Sequence, residues 1–227
     1  MKLIKPSYQI LTKLDGPEIL RNIEVAGRTC YKSEEKITED SAEALVATLV
    51  RSGHHSVLEH QSFSVRFVCD RGVSHEIVRH RLASFSQEST RYCNYSKDKF
   101  DNQLTFIIPP WCDIAEGEYQ VRFFGSTVSN PHDIPIFEDN DLVWFLAMAR
   151  AEKSYKDLIN NDWKAQEARS VLPNSIKTEI VVTANLREWR TIFSQRCAIA
   201  AHIQMRELMQ PLLAEVQSKI PVIFNEI

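Results

Sequence analysis

Arginine, histidine and hydroxyl side chains are concentrated between Arg79 and Tyr92, in the sequence RHRLASFSQESTRY. Arg79, His80 and Arg81 come first, and serines, a threonine and a further arginine, Arg91, follow them. Guanidinium groups match the oxygens of a phosphate, while hydroxyls and backbone N–H groups supply more donors. The segment therefore indicates a site for a small phosphorylated ligand. A solvated, charged surface is the alternative interpretation.

The residues before this cluster predict the element that positions it. Val73 and Ile77 begin an apolar stripe at helical spacing, so we expect a helix over 72–82 with Ser74 as its N-cap. Residues 83–91 lack this periodicity and are rich in side chains that favour turns. We therefore expect a helix that delivers the arginines into a polar loop.

The rest of the chain mixes the two periodicities. Residues 61–69 alternate apolar and polar side chains, as a half-buried strand does, and 178–183 are β-branched. Further strands are expected within 3–14 and over 104–108, and a surface connection over 126–140. Helices are expected over 18–28, 38–51, 141–163 and 197–219, with another that begins near 184.

Composition restricts the class of protein. With 44% hydrophobic residues, the 227-residue chain can bury a core, and no linker divides it, so we expect one domain over 1–227. A net charge of −3 argues against a protein that coats nucleic acid. Five cysteines without a CxxC pair indicate reduced thiols in the cytoplasm. We expect neither export nor membrane insertion, because no long apolar run occurs.

Three histidines and a glutamate lie between Gly53 and His60, so a metal site has to be considered. His55 and His60 are too far apart in sequence to share one face of a helix, as two zinc ligands do in HExxH motifs. We therefore predict no bound metal and interpret Glu59 and His60 as a buried, hydrogen-bonded pair. A metal-dependent hydrolase that uses this histidine cluster is the alternative, and metal analysis would reveal it.

The arginine-rich motif also resembles a known family. Arg79–Arg81, seven further residues and then Ser89 resemble the signature of the flavin-dependent thymidylate synthases of the ThyX type. Segments 53–60, 167–173 and 185–196 match the same family. The resemblance implies an α+β fold with an antiparallel or mixed sheet flanked by helices. It also implies an FAD-dependent methyltransferase that forms a homotetramer with active sites at subunit interfaces.

The implied reaction converts dUMP to thymidylate with 5,10-methylenetetrahydrofolate as carbon donor, reduced FAD as hydride donor and NADPH as reductant of the flavin. Residue by residue, the resemblance assigns Arg196 and His54 to catalysis. It assigns to dUMP the residues Glu76, Arg79, Gln87, Glu88, Ser89, Thr90, Arg91, Arg169 and Arg196. It assigns to FAD the residues Ser56, Arg79, His80, Arg81, Leu82, Gln87, Asn185, Leu186, Arg187 and Thr191.

Some positions depart from the family pattern or lie outside it. Relatives often have serine, glutamine and asparagine where this chain has Cys30, Glu76 and Thr191. Arg190 has no counterpart in the pattern, and we expect it to be solvated. An RNA-binding module that uses the arginine-rich segment is a further alternative, which salt-sensitive retention on nucleic acid would reveal.

Overall fold

The computed structural model describes residues 1–95, 97, 101–124, 127–128 and 137–227. Its internal contacts divide the chain into two units. The first unit contains Met1–Ser7, Val68–Glu76 and Gln87–Ile180, and the second contains Tyr8–Phe67, Ile77–Ser86 and Val181–Ile227. Most of the surface connection predicted over 126–140 lies outside the described residues.

The first unit contains a three-stranded sheet of mixed direction. Strand β1 (Lys2–Ile4) pairs with β5 (Thr105–Ile107) in parallel and with β6 (Gly117–Glu118) antiparallel, so that Leu3 faces Phe106 on one side and Gly117 on the other. The antiparallel pair of β7 (Phe123–Phe124) and β8 (Thr127–Val128) belongs to the same unit. The helices that lie wholly in this unit, among its described residues, are α4 (Asp139–Asn160) and α5 (Ala165–Ala168), and the 3₁₀ turn Arg169–Val171 follows α5.

Aromatic and aliphatic side chains form the core of this unit. Leu3, Phe106 and Phe145 are fully buried. Phe145 from α4 meets Tyr119 edge-on at a centroid distance of 5.2 Å and Phe137 at 4.9 Å. This packing ties α4 to the segment after β6.

The second unit contains most of the remaining helices. These are α1 (Gly16–Tyr31), α2 (Ser41–Arg51), α6 (Leu186–Arg196), α7 (Ile203–Lys219) and α8 (Pro221–Phe224), with 3₁₀ turns at Glu34–Lys36 and His55–His60. Asp15 caps α1 by accepting a hydrogen bond from the Glu18 N–H at 3.1 Å, and Pro17 suits its first turn. Helix α2 approaches α1 closely at Gly27, where an added Cβ would lie 2.9 Å from a Leu49 methyl carbon.

Trp189 organises the core of the second unit. Its ring stacks on Phe63 with a centroid distance of 4.6 Å, and its indole N–H donates to the Phe63 carbonyl at 3.1 Å. Phe193, one turn later on α6, contacts Trp189 and also Phe224 from α8. The chain end at 221–227 is thus partly a core element. Together these contacts fix α6, which carries several of the predicted site residues.

A four-stranded sheet has the order β2–β3–β9–β4, where the strands are β2 (Ser7–Ile10), β3 (Ser62–Asp70), β9 (Lys177–Asn185) and β4 (Ser84–Gln87). Each strand contains one of the points at which the chain passes from one unit to the other. Alternate residues of β3 and β9 are buried, as their period-two patterns predict. The mixed and antiparallel sheets with their helices confirm the α+β class.

The helix predicted over 72–82 is shorter than expected. Helix α3 (Arg71–Ile77) ends at Ile77, and turns continue to Ala83. The apolar stripe does not continue because Leu82 is 78% exposed, so burial does not stabilise further helical turns. The prediction of Ser74 as the N-cap was wrong, because α3 begins at Arg71 and Ser74 lies inside it. The Asp70 carboxylate accepts a hydrogen bond from the Val73 N–H at 2.6 Å, at the start of the helix.

The loop predicted over 83–91 was also partly wrong, because its first half forms strand β4. This strand lies at the end of the sheet order, where short strands with polar side chains are common. Among the described residues, no helix combines the length and the apolar character that a membrane crossing requires.

Candidate functional site

The turn that follows β4 displays the hydroxyls and arginines of the motif. The Ser89 carbonyl accepts hydrogen bonds from the N–H groups of Tyr92 and Cys93 at 3.2 and 3.0 Å. The Ser89 hydroxyl accepts from the Arg91 N–H at 3.3 Å, which tightens the turn further. Arg91 is exposed, and its guanidinium lies 5.5 Å from the Tyr92 ring centroid. The first unit therefore presents a rigid, polar turn with a cation at its surface.

A second arginine reaches this turn from a distant part of the sequence. Arg169 begins the 3₁₀ turn after α5, and its Nη1 donates to the Thr90 hydroxyl at 3.2 Å. Thr90 is buried, whereas Arg169 and Arg91 are exposed. Two guanidinium groups on one turn, with a serine hydroxyl beside them, are a donor set suited to a phosphate.

The amide of Gln87 is fixed before the turn begins. Its Nε2 donates to the Ser74 hydroxyl at 2.8 Å and to the Thr178 hydroxyl at 3.2 Å, and Ser74 in turn donates to the Arg71 carbonyl. Both amide N–H donors are thus used, and the amide oxygen is what the Gln87 side chain can offer to a ligand. Glu76, on the last turn of α3, is partly exposed in the same unit.

Glu88 anchors the turn through its carboxylate. One oxygen accepts from the Tyr95 hydroxyl at 3.0 Å and the other from Lys177 Nζ at 2.9 Å, while Lys177 also contacts Glu179 at 2.7 Å. Burial, and then the charge of Glu88, raise the pKa of Tyr95. Burial lowers the pKa of Lys177, but its two carboxylate partners more than offset this effect and raise it overall. We therefore expect Glu88 to support the turn and not to face an anionic ligand.

In the second unit, Arg196 contacts His80 near the end of α6. Arg196 Nε donates to His80 Nε2 at 2.9 Å, and His80 Nδ1 lies 3.6 Å from a carboxylate oxygen of Glu188. His80 is 6% exposed and Glu188 is 7% exposed. Burial, and then the charge of Arg196, lower the pKa of His80 from 6.5 to about 4. Burial raises the pKa of Glu188.

Two protonation states of His80 have to be compared, and the geometry favours the neutral imidazole. A protonated His80 would form an ion pair with Glu188, but its Nε2 could then not accept the Arg196 N–H. The 3.6 Å separation also exceeds a normal hydrogen bond. Neutral His80, with its proton on Nδ1, satisfies the 2.9 Å contact to Arg196 and points an N–H toward Glu188.

Two neighbouring cavities in the second unit share His55 and Arg187. The first has a volume of ≈ 350 Å³ and is lined by Gly27, Cys30, Tyr31, Leu49, Gly53, His54, His55, Ser56, Val57 and Arg187. The second has a volume of ≈ 420 Å³ and is lined by His55, Arg187, Arg190, Thr191, Ser194, Gln195, Glu226 and Ile227. The structure thus brings His54 and Ser56, predicted from one segment, to Arg187, predicted from another, and Thr191 lines the second cavity with Arg187.

Arg187 is held at the surface by an ion pair, with Nη1 at 2.6 Å from a Glu59 carboxylate oxygen. The buried pair of Glu59 and His60 predicted from the sequence was therefore wrong, because both residues are exposed. Such an exposed pair contributes little to stability, so Arg187 can exchange Glu59 for a ligand at low cost. Among the residues that the structure describes, no group of three histidine, cysteine or carboxylate side chains is arranged to hold a metal.

Other predicted residues of α6 have structural tasks. Asn185 is the N-cap, accepting from the Glu188 N–H at 2.8 Å. Leu186 is fully buried and donates its N–H to the Gln61 carbonyl, so we expect any effect on a ligand to be indirect. Arg190 was expected to be solvated, and this was wrong: it is partly buried and donates to the Ile223 carbonyl.

The remaining cationic residues of the motif lie in the turns between α3 and β4. Arg79, Arg81 and Leu82 are exposed there, whereas His80 is buried. Sequence reasoning missed Ser194 and Gln195, which line the second cavity. Their position one turn after Thr191 on α6 was the available signal.

Comparison with known proteins relates this arrangement to a family. The model of the thymidylate synthase complementing protein family matches residues 10–222. Flavin-dependent thymidylate synthase from Geobacter sulfurreducens is 32% identical, over 90% of this chain and 80% of the relative. The enzyme of the same name from Pyrococcus abyssi is 32% identical, over 83% of this chain and 68% of the relative.

Solved structures share the fold at lower identity. Thymidylate synthase X from Helicobacter pylori, solved with FAD and dUMP, has a TM-score of 0.70 and 21% identity, covering 97% of this chain and 98% of that one. The UMP/dUMP methylase PolB from Streptomyces cacaoi, bound with 5-Br dUMP, has a TM-score of 0.74 and 17% identity, covering 99% and 96%. The family-model match and the sequence relatives, together with the common fold, show that this chain belongs to the flavin-dependent thymidylate synthase family.

Proposed function

We propose that this chain is a flavin-dependent thymidylate synthase. It transfers the methylene carbon of 5,10-methylenetetrahydrofolate to C5 of dUMP, which loses its C5 proton, and thymidylate, tetrahydrofolate and oxidised flavin are the products. Reduced FAD would supply the hydride, and NADPH would reduce the flavin for the next turnover. The observation that carries the proposal is the hydrogen bond from Arg169 to Thr90, which adds a second cation to the motif's turn.

The phosphate of dUMP is assigned to that turn. Arg91 and Arg169 supply guanidinium donors, and Ser89 supplies a hydroxyl. Gln87, with its N–H donors already used, offers its amide oxygen to an N–H of the nucleotide. Glu88 keeps the turn in place through Lys177. The further dUMP assignments are Glu76, Thr90, Arg79 and Arg196.

The donor set of the two cavities fits a flavin dinucleotide. Arg187 lines both cavities and could bind the diphosphate of the dinucleotide. Its present partner, Glu59, is exposed, so this ion pair is weak and Arg187 can exchange it for a phosphate. Ser56 and Thr191 add hydroxyls, and each cavity falls in the range of roughly 300–1,000 Å³ typical of ligand sites. Asn185 and Leu186 shape α6 beneath these residues. The resemblance also assigns Arg79, His80, Arg81, Leu82 and Gln87 to FAD, and the role of His80 is revised in the next subsection.

Arg196 and His54 are assigned to the chemistry. Uracil becomes nucleophilic at C5 when negative charge develops across N3 and the adjacent carbonyl, and a fixed guanidinium stabilises that charge. Arg196 fits this role because His80 holds its Nε. His54 lies in the lining of the first cavity, where it would contact the folate or the flavin. We place the enzyme in the cytoplasm as a homotetramer.

Titrations of three proteins test the nucleotide assignment. Wild-type protein should bind dUMP, measured by calorimetry, and UMP is the comparator because a structural neighbour is named a UMP/dUMP methylase. Arg169→Ala should weaken the affinity for dUMP by about 10- to 100-fold, the effect of removing a charged hydrogen bond, but leave the affinity for deoxyuridine unchanged. Arg51→Ala, which removes an exposed arginine of α2, is the matched control. Preference for UMP, or equal loss of dUMP and deoxyuridine, would contradict the assignment.

A further inference from the structure

We propose that His80 is a positioning residue that holds the Arg196 guanidinium for uracil activation, and that its side chain is not a flavin ligand. The inference rests on the proposed function, because it takes Arg196 to be the group that acts on the pyrimidine. It reassigns His80, which the sequence resemblance places among the flavin contacts.

The hydrogen bond between the two residues determines which imidazole nitrogen carries the proton. Arg196 Nε–H donates to His80 Nε2 at 2.9 Å, so Nε2 must present a lone pair. The proton of the neutral ring is then on Nδ1, which points at Glu188 3.6 Å away. Nε2 is taken by Arg196, Nδ1 is directed at Glu188, and the residue is 6% exposed, so the ring presents little surface to a flavin.

Glu188 and Arg196 belong to the same helix, about two turns apart on α6. The His80 ring lies against both, and it comes from the turns between α3 and β4, 116 residues earlier than Arg196. The ring therefore connects Arg196 to a second segment of backbone. Glu188 is 7% exposed, and its carboxylate lies 3.6 Å from Nδ1, where its negative charge favours an N–H at that position.

Fixing Nε restricts a side chain that otherwise has many rotamers. An arginine that is already oriented needs less reorganisation when charge develops on the uracil edge, which is the condition for strong electrostatic stabilisation. The neutral state of His80 is essential, because a charged imidazolium would repel Arg196. Burial and the Arg196 charge both keep the pKa of His80 low, so that the ring stays an acceptor at neutral pH.

Three variants separate this role from flavin binding. His80→Leu removes the acceptor, and His80→Gln keeps a side-chain oxygen for the Arg196 Nε–H. Flavin content is read from absorbance, with Arg187→Ala as the control that should lose flavin. We expect both His80 variants to retain flavin. His80→Leu should slow single-turnover thymidylate formation by about 10- to 100-fold, the range of one charged hydrogen bond, and His80→Gln by about threefold or less.

A double-mutant cycle tests whether His80 acts through Arg196. Affinity for dUMP is measured by calorimetry in wild type, His80→Leu, Arg196→Ala and the double variant. We expect His80→Leu to weaken the affinity for dUMP about tenfold in the wild-type background and less than about twofold in the Arg196→Ala background. Circular dichroism checks that each variant is folded. If His80→Leu does not fold, the flavin content and the single-turnover rate of His80→Gln still test the inference.

The outcomes distinguish the inference from the proposed function. Additive losses in the cycle, loss of flavin from His80→Gln, or a folded His80→Gln as slow as Arg196→Ala would overturn the role of His80 alone. A wild-type protein that binds no flavin and forms no thymidylate would overturn the proposed function and this inference together.

Discussion

His80→Gln should flatten the pH dependence of stability, because the imidazole is buried in its neutral form. Burial, and secondarily the Arg196 charge, lower the pKa of His80 from 6.5 to about 4 in the folded protein. Between these values the unfolded chain binds a proton that the folded protein does not, so stability falls as the pH falls from 6.5 to about 4. The full difference corresponds to about 3 kcal/mol, of which about 2 kcal/mol is lost by about pH 5.

The assay is urea unfolding at one protein concentration, at about pH 7.5 and about pH 5. Carboxylates also titrate in this range, so the informative quantity is the difference between variants and not the absolute slope. His80→Gln should lose about 2 kcal/mol less than wild type between the two pH values. His60→Gln, at an exposed histidine, should follow wild type.

A wild-type slope in His80→Gln, within about 0.5 kcal/mol, would refute the reasoning. It would show that His80 titrates normally and does not need to be neutral to accept the Arg196 N–H. The positioning role would then lose its electrostatic basis, while the hydrogen bond itself would remain to be explained.

Three further outcomes follow from the structure. Ser89→Ala should weaken dUMP binding in calorimetry but retain measurable thymidylate formation, since no general base adjoins the hydroxyl in sequence. Complete loss of turnover in a folded variant that still binds dUMP and FAD would make Ser89 a nucleophile. Arg196→Lys should lower turnover by about a hundredfold with flavin content unchanged, and a wild-type rate of flavin oxidation would remove Arg196 from the mechanism. Gly16→Ala should destabilise the fold by about 1–3 kcal/mol in urea unfolding, because the added Cβ would clash with the Lys219 carbonyl oxygen; unchanged stability would mean that α1 shifts freely.

Strong periodicity made much of the fold predictable. The alternation in 61–69 placed Phe63, Val65 and Phe67 inside, and the structure buries all three. Helix α4 was predicted within a few residues at each end because its apolar positions recur at helical spacing. A regular pattern of apolar residues is a local property of the sequence, so it can be recognised in one sequence.

Strand β4 was missed for the opposite reason. Its residues, Ser-Phe-Ser-Gln, resemble a turn, and their extended shape depends on the neighbouring strand β9. The early end of α3 is a related case, because Val78 and Leu82 continue the apolar pattern in sequence but are exposed in the structure. Tertiary contacts therefore determine the conformation of both segments.

The contacts of the candidate site could not be predicted from the sequence. The resemblance singled out His80, Arg187 and Arg196, yet no local pattern indicates that Arg196 donates to His80 or that Arg187 pairs with Glu59, 128 residues earlier. Side chains that are far apart in sequence meet only after the sheet and α6 are in place. Glu88 illustrates the same limit, since its partner Lys177 lies 89 residues away.

The most direct test of the central claim is an anaerobic single turnover. The purified protein is reduced, then mixed with dUMP and 5,10-methylenetetrahydrofolate, while flavin absorbance is followed and the nucleotide products are separated by chromatography. We expect oxidised flavin and thymidylate to form in about equal amounts, because each methyl group requires one hydride. A colourless protein that does not bind added FAD, or flavin oxidation without thymidylate, would contradict the proposed function.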